Sequence, residues 1–210
     1  GTALARVTVV DRAFGIPPAV AITGALAVRP GAKTTFRATV SAPDEATFGA
    51  PMASTWSLSE GVLESGAALG AISATPLVVT LPVVSLTRVH DLVVDAGALV
   101  AGATYTFSLS ATVDAARGAA SITVVVATPP SSGRLEASPA AGTAFSTPFA
   151  LTAAGWVGDS LPLKYAFQTQ NSTLRTPSLE PRARGVHLAQ GASVVLTVVV
   201  SDADDAASTA

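Results

Sequence analysis

Alternation of apolar and polar residues is the strongest pattern in this sequence. In TYTFSLSATV, residues 104–113, Tyr105, Phe107 and every second residue after them are apolar, while Thr and Ser occupy the positions between. The same period of two occurs in TTFRATV, SITVVV and PFALTA. A period of two predicts β-strands that have one buried face and one solvated face.

Turn signals separate these apolar runs. Arg117-Gly118 and Pro129-Pro130 are examples, since proline cannot donate a ladder hydrogen bond and glycine adopts turn conformations. No amphipathic helix is predicted, because the alanine-rich stretch 64–74 is interrupted by Gly66 and Gly70, and each glycine costs about 1 kcal/mol in a helix. Short strands without helices predict an all-β fold, here tandem immunoglobulin/fibronectin-III-like antiparallel β-sandwiches.

The length of 210 residues fits two modules of about 100 residues, the usual size of a β-sandwich. We place the boundary in TPPSSG, which gives a first module over residues 19–128 and a second over residues 129–210. Residues 1–18 hold an opening strand, LARVTVV, and a Pro-Pro linker, and we interpret this strand as the end of a preceding module. No apolar strand follows Val200, so the pattern predicts that the second module lacks its last strand.

Composition narrows the possible partners. The net charge is -2 and the 12 basic residues are scattered, which argues against a nucleic-acid partner. The apolar run over residues 192–200 is about half as long as a membrane-spanning helix, so no membrane insertion is predicted within this segment. The chain has no cysteine, which excludes disulfides, thiolate metal sites and cysteine nucleophiles.

Two tryptophans are candidates for either packing or ligand contact. Trp56 lies in STWSLS with Leu58 on the same face, and we assign Trp56 to the core between two sheets. Trp156 follows Gly155 at a strand end, and we assign it to packing against its own sandwich or a neighbouring module. The alternative is an exposed aromatic face that binds carbohydrate; with 7 Phe, 2 Tyr and 2 Trp, most of them needed in cores, such a face would be poor.

Few residues in this sequence indicate metal binding or catalysis. Asp202, Asp204 and Asp205 are a candidate calcium cluster, but the run lacks the glycine and glutamate of a calcium loop, and a solvated turn is the favoured interpretation. His90 lies beside Asp91 without a serine or cysteine nucleophile motif nearby in the sequence, and no phosphate loop or zinc-protease motif occurs. The sequence therefore predicts no catalytic residue, metal or cofactor, and no enzyme.

Two further features concern the surface. Asn171-Ser172-Thr173 is an acceptor for N-glycosylation in a polar stretch, so Asn171 is a candidate modification site if the chain is secreted. The predicted strand Val194–Val200 is apolar on both faces, whereas an antiparallel sandwich leaves one face wet. We therefore expect its outward residues and the open β-edges to contact other protein modules or a second copy of the chain.

Two long stretches resemble the REJ region (receptor for egg jelly) of polycystin-type cell-surface proteins. DLVVDAGALVAGATYTFSLSATVDAARGAASITVVVATPPSSG, residues 91–133, is similar to the family's Thr-Tyr-Thr-Phe strand and its flanking apolar strands. GRLEASPAAGTAFSTPFALTAAGWVGDSLPLKYAFQ, residues 133–168, is similar to the family's most distinctive part. The positions that carry this second match include Ser138-Pro139, Gly142-Thr143, Phe149, Leu151, Gly155-Trp156, Leu161-Pro162, Tyr165 and Phe167.

The resemblance implies an extracellular array of sandwich modules, similar to fibronectin type III and PKD repeats, without enzymatic activity. Members of the family usually carry two cysteines at the positions of Leu135 and Ala153, so the resemblance implies that an apolar contact replaces a disulfide here. The triplet at residues 187–189 is similar to the His-Leu-Ser/Thr self-cleavage site found next to REJ regions. Ala189 has no hydroxyl group, so self-cleavage at that bond is chemically excluded.

From these observations we expect a spacer, adhesion or force-bearing region of a large polycystin-like protein at the cell surface, including the ciliary or flagellar surface. The alternative is a structural segment of an extracellular filament, sheath or cell wall. Strand exchange would build such a fibre if the opening strand of one copy completed the open sheet of the next.

Overall fold

The computed structural model describes residues 16–63, 66–191 and 193–210. The chain divides into two compact units, Gly1–Val126 (unit 1) and Ala127–Ala210 (unit 2). The predicted opening strand LARVTVV lies outside the described residues. Both units are built from mostly antiparallel sheets with very little helix, so the all-β prediction is confirmed.

Unit 1 contains two sheets. One has the order β1-β3-β6, with β7 also paired to β3, and the other has the order β2-β9-β8-β4-β5. A short 3-10 turn spans Glu45–Thr47, and a one-turn helix, α1, spans Leu69–Ile72. The strands are β1 (Ala19–Thr23), β2 (Ala27–Val28), β3 (Thr34–Ser41), β4 (Pro51–Glu60), β5 (Val78–Pro82), β6 (Thr87–Val89), β7 (Leu92–Val94), β8 (Thr104–Val113) and β9 (Ala116–Val126).

The core of unit 1 lies between these two sheets, and the alternating strands supply it. Along β8 the predicted apolar positions are buried, and the Thr and Ser positions between them are more exposed. Phe107 of β8 packs against Phe36 of β3 with ring centroids 5.0 Å apart. The buried hydroxyl of Tyr105 donates to the carbonyl of Val62 at 3.0 Å and accepts from the amide of Val100 at 3.0 Å, so burying Tyr105 leaves its polar atom paired.

The turn between β8 and β9 differs from the one expected at Arg117-Gly118. Asp114 and Ala115 form the two-residue turn, both with positive φ (46° and 68°), as a tight hairpin requires. Gly118 lies within β9, where a Cβ atom would come within 1.9 Å of the carbonyl oxygen of Pro18. This glycine therefore allows a close approach of two backbone segments and does not mark a turn.

Unit 2 also contains two sheets, with the orders β10-β11-β14 and β13-β12-β15-β16. Its buried core draws on both sheets, with Leu151 from the first and Phe167, Val198 and Val200 from the second. The strands are β10 (Arg134–Ser138), β11 (Phe149–Ala154), β12 (Lys164–Thr169), β13 (Thr173–Ser178), β14 (Arg182–Val186), β15 (Leu196–Ser201) and β16 (Ala207–Thr209).

The C-terminal end of unit 2 differs from the expectation of a missing strand after Val200. A three-residue strand, β16, pairs with β15, and Ala210 exchanges two backbone hydrogen bonds with Val198 at 2.9 and 3.1 Å. The sequence did not predict β16 because its residues, Ala-Ser-Thr, are small and polar. β15 also begins later than predicted, at Leu196, since Val194 and Val195 lie in the preceding loop.

Candidate interaction surfaces and buried polar sites

A buried histidine connects the two sheets of unit 1. His90 lies between β6 and β7 and donates its backbone amide to Ala38 of β3 at 2.9 Å. Its side chain points inward, where Nδ1 lies 2.8 Å from the hydroxyl of Ser54 on β4 and Nε2 lies 2.9 Å from the carbonyl of Pro76. Trp56 Nε1 donates to the carbonyl of His90 at 3.0 Å. Every polar group in this network is therefore paired.

The Ser54–His90 contact has the form of an activated nucleophile, but its surroundings do not allow catalysis. Because the Pro76 carbonyl can only accept, Nε2 carries the proton and Nδ1 accepts from the Ser54 hydroxyl. Ser54 is 2% and His90 5% exposed, so a substrate has no access to the hydroxyl. The sequence does not reveal this pair because the two residues are 36 positions apart. We interpret it as a polar connection between the sheets.

Asp91 pairs with Arg37, on the solvated side of β3, and not with His90. Arg37 Nη2 lies 3.1 Å from Asp91 Oδ2. The hydrogen bond and then the charge of Asp91 raise the pKa of Arg37, which is already high. A raised pKa on a cation adds stability that is lost only as pH rises through that pKa, so the Arg37 guanidinium stays charged throughout neutral conditions. As an exposed pair it contributes little to stability.

Trp156 packs within unit 2, against its core and against the backbone of Gly133. A Cβ atom at position 133 would lie 2.0 Å from the indole ring, so only glycine leaves room for the ring. The indole nitrogen is buried and finds no hydrogen-bond partner in the part of the chain that the structure describes. Trp156 is half-buried and is thus not a free ligand platform.

Leu135 and Ala153, the two positions at which the resemblance implies cysteines, lie directly opposite each other on β10 and β11. Ala153 is buried, and Leu135 is half-buried against the core of unit 2. Three aromatic residues of unit 2 were also expected to be structural. Phe167 is fully buried, Phe149 is 8% exposed and Tyr165 is half-buried against the core of unit 2.

Asp202 is fully buried and organises the turn between β15 and β16. Its Oδ1 accepts the backbone amides of Asp204 at 3.0 Å and Ala206 at 2.9 Å, whereas Oδ2 has no hydrogen-bond partner within the described residues. Asp204 and Asp205 are exposed. Within residues 16–63, 66–191 and 193–210, no three His, Asp or Glu side chains come together in a way that could hold a metal ion.

The glycosylation candidate Asn171 is exposed in the turn between β12 and β13. The hydroxyl of Thr169 accepts the backbone amides of Asn171 at 3.3 Å and Ser172 at 3.1 Å, and the amide of Thr169 donates to the carbonyl of Ser172 at 2.8 Å. The turn borders a cavity of about 340 Å³ that is also lined by Phe145 and Leu174. Phe145 is 70% exposed, and no sequence motif indicates it as a site residue.

Several apolar side chains are exposed along one edge of unit 1. Strand β5 is the last strand of the five-stranded sheet, and Val78, Leu81 and Val84 are 59%, 51% and 80% exposed. One end of this edge is blocked, since Arg88 Nη2 donates to the carbonyl of Pro82 at 2.8 Å. A charged residue that covers edge carbonyls limits pairing with another chain.

The strand predicted to be apolar on both faces proves to be internal. β15 lies between β12 and β16, with Val198 and Val200 buried and Val199 half-buried on the other face. The exposed residue of this segment is Val195, which is 53% exposed in the loop before the strand. Of the helices in the described residues, none has the length and hydropathy needed to cross a membrane.

Comparison of the sequence with protein-family models finds a match to one family. The model described as "REJ domain" matches residues 29–210, whereas no curated protein matches significantly. Among solved structures, the fibronectin(III)-like modules of Clostridium thermocellum CbhA are 14% identical, with a TM-score of 0.39 and coverage of 90% of this chain and 88% of that one.

Two further structures are similar at the same low level. A C-terminal intimin fragment, solved in complex with the intimin-binding domain of its translocated receptor, is 11% identical with a TM-score of 0.40; the match covers 100% of this chain and 62% of that one. The titin I-band fragment I67–I69 is 14% identical with a TM-score of 0.37, and the match covers 100% of this chain and 65% of that one. Such values carry no information about ligands or partners.

Proposed function

The chain belongs to the REJ domain family, and from this membership we propose that it is a non-enzymatic, force-bearing spacer in the extracellular part of a polycystin-like cell-surface protein. REJ domains are typical of extracellular regions, and modules there connect a cell to its surroundings. The observation that carries the proposal is the parallel pairing of β2 with β9, which come first and last along the chain among the strands of the five-stranded sheet in unit 1.

Strands β2 and β9 of unit 1 run in parallel. Ala27 lies opposite Val125 and Val28 opposite Val126, and the amide of Val125 donates to the carbonyl of Leu26 at 2.8 Å. The other ladders of the described strands are antiparallel. The parallel pair joins the N-terminal part of unit 1 to its last strand.

This direction of pairing determines how the unit responds to force. Because β2 and β9 are parallel, the start of β2 and the end of β9 lie at opposite ends of the pair. A force that separates the two ends of unit 1 therefore acts along the strands, and it loads their hydrogen bonds together. An antiparallel hairpin pulled at its two free ends would instead open one hydrogen bond after another.

Strand β1 adds a second connection under the same load. It precedes β2 and pairs with β3 over the whole of Ala19–Thr23, so a force from the N-terminal side also acts along β1. The carbonyl of Pro18 lies against Gly118 of β9, which brings the start of β1 close to the last strand. Both connections support a role in which unit 1 stays folded under tension.

Single-molecule pulling of the chain from Gly1 and Ala210 tests this proposal. Unit 1 and unit 2 are distinguished by the length they release, about 37 nm for residues 16–126 and about 28 nm for residues 127–210 when fully extended. We expect the longer event at the higher force, since forced unfolding follows the unfolding barrier and unit 2 ends in a three-residue antiparallel strand. A longer event at the lower force would contradict the proposal.

A structural segment of a filament is the second candidate, and the exposed apolar edge at β5 favours it. In that case, Val78 and Leu81 would be covered by another copy of the chain. Sedimentation over a wide range of concentrations separates the two functions. A monomer throughout supports the spacer, whereas polymers that disappear on Val78→Lys would support the filament.

A further inference from the structure

The turn that holds Asn171 combines two features. Asn171 is exposed, and the turn around it is fixed by hydrogen bonds to Thr169. Thr173, the third residue of the acceptor triplet, begins β13 and is also exposed. Both side chains that N-glycosylation requires are therefore accessible at the surface, and a glycan could be attached to Asn171 without displacing a strand.

Phe145 lies at the same cavity, although it is far away in the sequence. Its side chain is 70% exposed and its φ is +59°, while its backbone amide donates to the carbonyl of Leu188 at 2.9 Å. A left-handed conformation costs a non-glycine residue about 1 kcal/mol or more. An exposed aromatic ring held by a strained, hydrogen-bonded backbone suggests a surface that contacts something other than its own core.

The cavity between Asn171 and Phe145 has the mixed character that a sugar needs. Its lining combines apolar side chains, including Leu174, Leu188 and Val194, with the polar groups of the β12–β13 turn. At about 340 Å³ it is in the size range of small-ligand pockets. A pyranose ring presents C–H bonds on its faces and hydroxyl groups at its rim, so it matches both parts of this lining.

We propose that Asn171 carries an N-linked glycan whose first sugar packs on the ring of Phe145. This inference rests on the extracellular placement proposed above. In the reaction, Nδ2 of Asn171 bonds to C1 of an N-acetylglucosamine that is linked to a lipid pyrophosphate. The C1–O bond to the pyrophosphate breaks, the pyrophosphate leaves with that electron pair, and the proton lost from Nδ2 passes to the base of the transferase.

The modification is tested on the full chain, secreted from cultured animal cells behind an added leader peptide. We expect a glycan at Asn171 that peptide N-glycosidase removes, leaving a carboxylate at that position in the mass spectrum. Thr173→Ala should abolish the glycan, and Thr173→Ser, which keeps the acceptor triplet, should retain it. A secreted wild-type chain with an unmodified Asn171 would overturn the proposal.

The packing on Phe145 is tested by comparing melting temperatures with and without the glycan. In the wild type the glycan should raise the melting temperature of unit 2 by about 3 °C, the effect of a modest aromatic contact in a unit of this size. Phe145→Leu should keep the glycan but lose this rise, and Phe145→Tyr should retain it. An equal rise in wild type and Phe145→Leu would overturn the packing. Neither outcome bears on the mechanical test of unit 1.

Discussion

Replacing Leu135 and Ala153 together by cysteine is expected to produce a disulfide that stabilises unit 2. The two residues are direct partners in the β10–β11 ladder. Opposite residues of an antiparallel pair have Cα atoms about 4.5–5.5 Å apart, which lies within the range of about 4.4–6.8 Å found for disulfides. Both side chains are on the core side of their sheet, so the two thiols would face each other.

The size of the effect follows from the loop that the disulfide closes. About 20 residues separate the two positions, and a loop of that length removes about 3 kcal/mol of unfolded-state entropy. Exchanging the half-buried Leu135 for the smaller cysteine costs about 1 kcal/mol of apolar burial. The net gain of about 2 kcal/mol corresponds to a rise in the melting temperature of about 10 °C for a domain of this size.

The assay compares oxidised and reduced protein by thermal unfolding, with bond formation measured by mass and thiol titration. The chain has no other cysteine, so the readout is unambiguous. The control pairs Leu135→Cys with Thr152→Cys, whose side chains point to opposite faces and cannot bridge. A Leu135/Ala153 variant that stays reduced under mild oxidant would refute the register, and a bridged variant that melts no higher than its reduced form would refute the energetic argument.

Substitutions at three other positions test packing and buried polar contacts. Gly133→Ala should destabilise unit 2 by about 2 kcal/mol and red-shift tryptophan fluorescence, because the new methyl group displaces Trp156. Ser54→Ala should lower the free energy of unfolding, measured with denaturant, by about 1–3 kcal/mol, since it leaves Nδ1 of His90 buried and unpaired. Asp202→Ala should lower the free energy of unfolding by about 2 kcal/mol, because the backbone amides of Asp204 and Ala206 lose their acceptor. Asp202→Asn keeps a side-chain oxygen that can accept both amides, so it should leave the stability nearly unchanged.

These three expectations have distinct contradicting results. Unchanged fluorescence in Gly133→Ala would mean that Trp156 does not pack on that backbone. Ser54→Ala with wild-type stability would mean that His90 is not held by the hydroxyl. If Asp202→Asn were as unstable as Asp202→Ala, the turn would depend on the charge of the carboxylate and not on its acceptor atom.

The sequence predicted the strands that have strong alternation and missed the contacts made by distant residues. β8 was predictable because its buried face is uniformly apolar over Thr104–Val113. β16 was not, since Ala-Ser-Thr becomes a strand only through pairing with β15. Gly118 was misread as a turn signal because the segment that requires it, at Pro18, is far away in the chain.

The polar sites were harder to predict than the fold. Nothing local identifies Ser54 as the partner of His90, because the contact forms only when two sheets face each other. Phe145 also has no periodic signal, since it lies in a loop with positive φ. The acidic run at Asp202 was visible in the sequence, but its role depends on the burial of one carboxylate, which alternation does not reveal.

The most direct test of the force-bearing role is the unfolding force of unit 1 in two variants of Val125. Val125→Pro removes the amide that donates to Leu26, while Val125→Ala removes the same half-exposed side chain and keeps that amide. Pulled from Gly1 and Ala210, Val125→Pro should unfold at a clearly lower force and Val125→Ala at nearly the wild-type force. Equal unfolding forces in Val125→Pro and the wild type would contradict the claim that the β2–β9 pair bears the load.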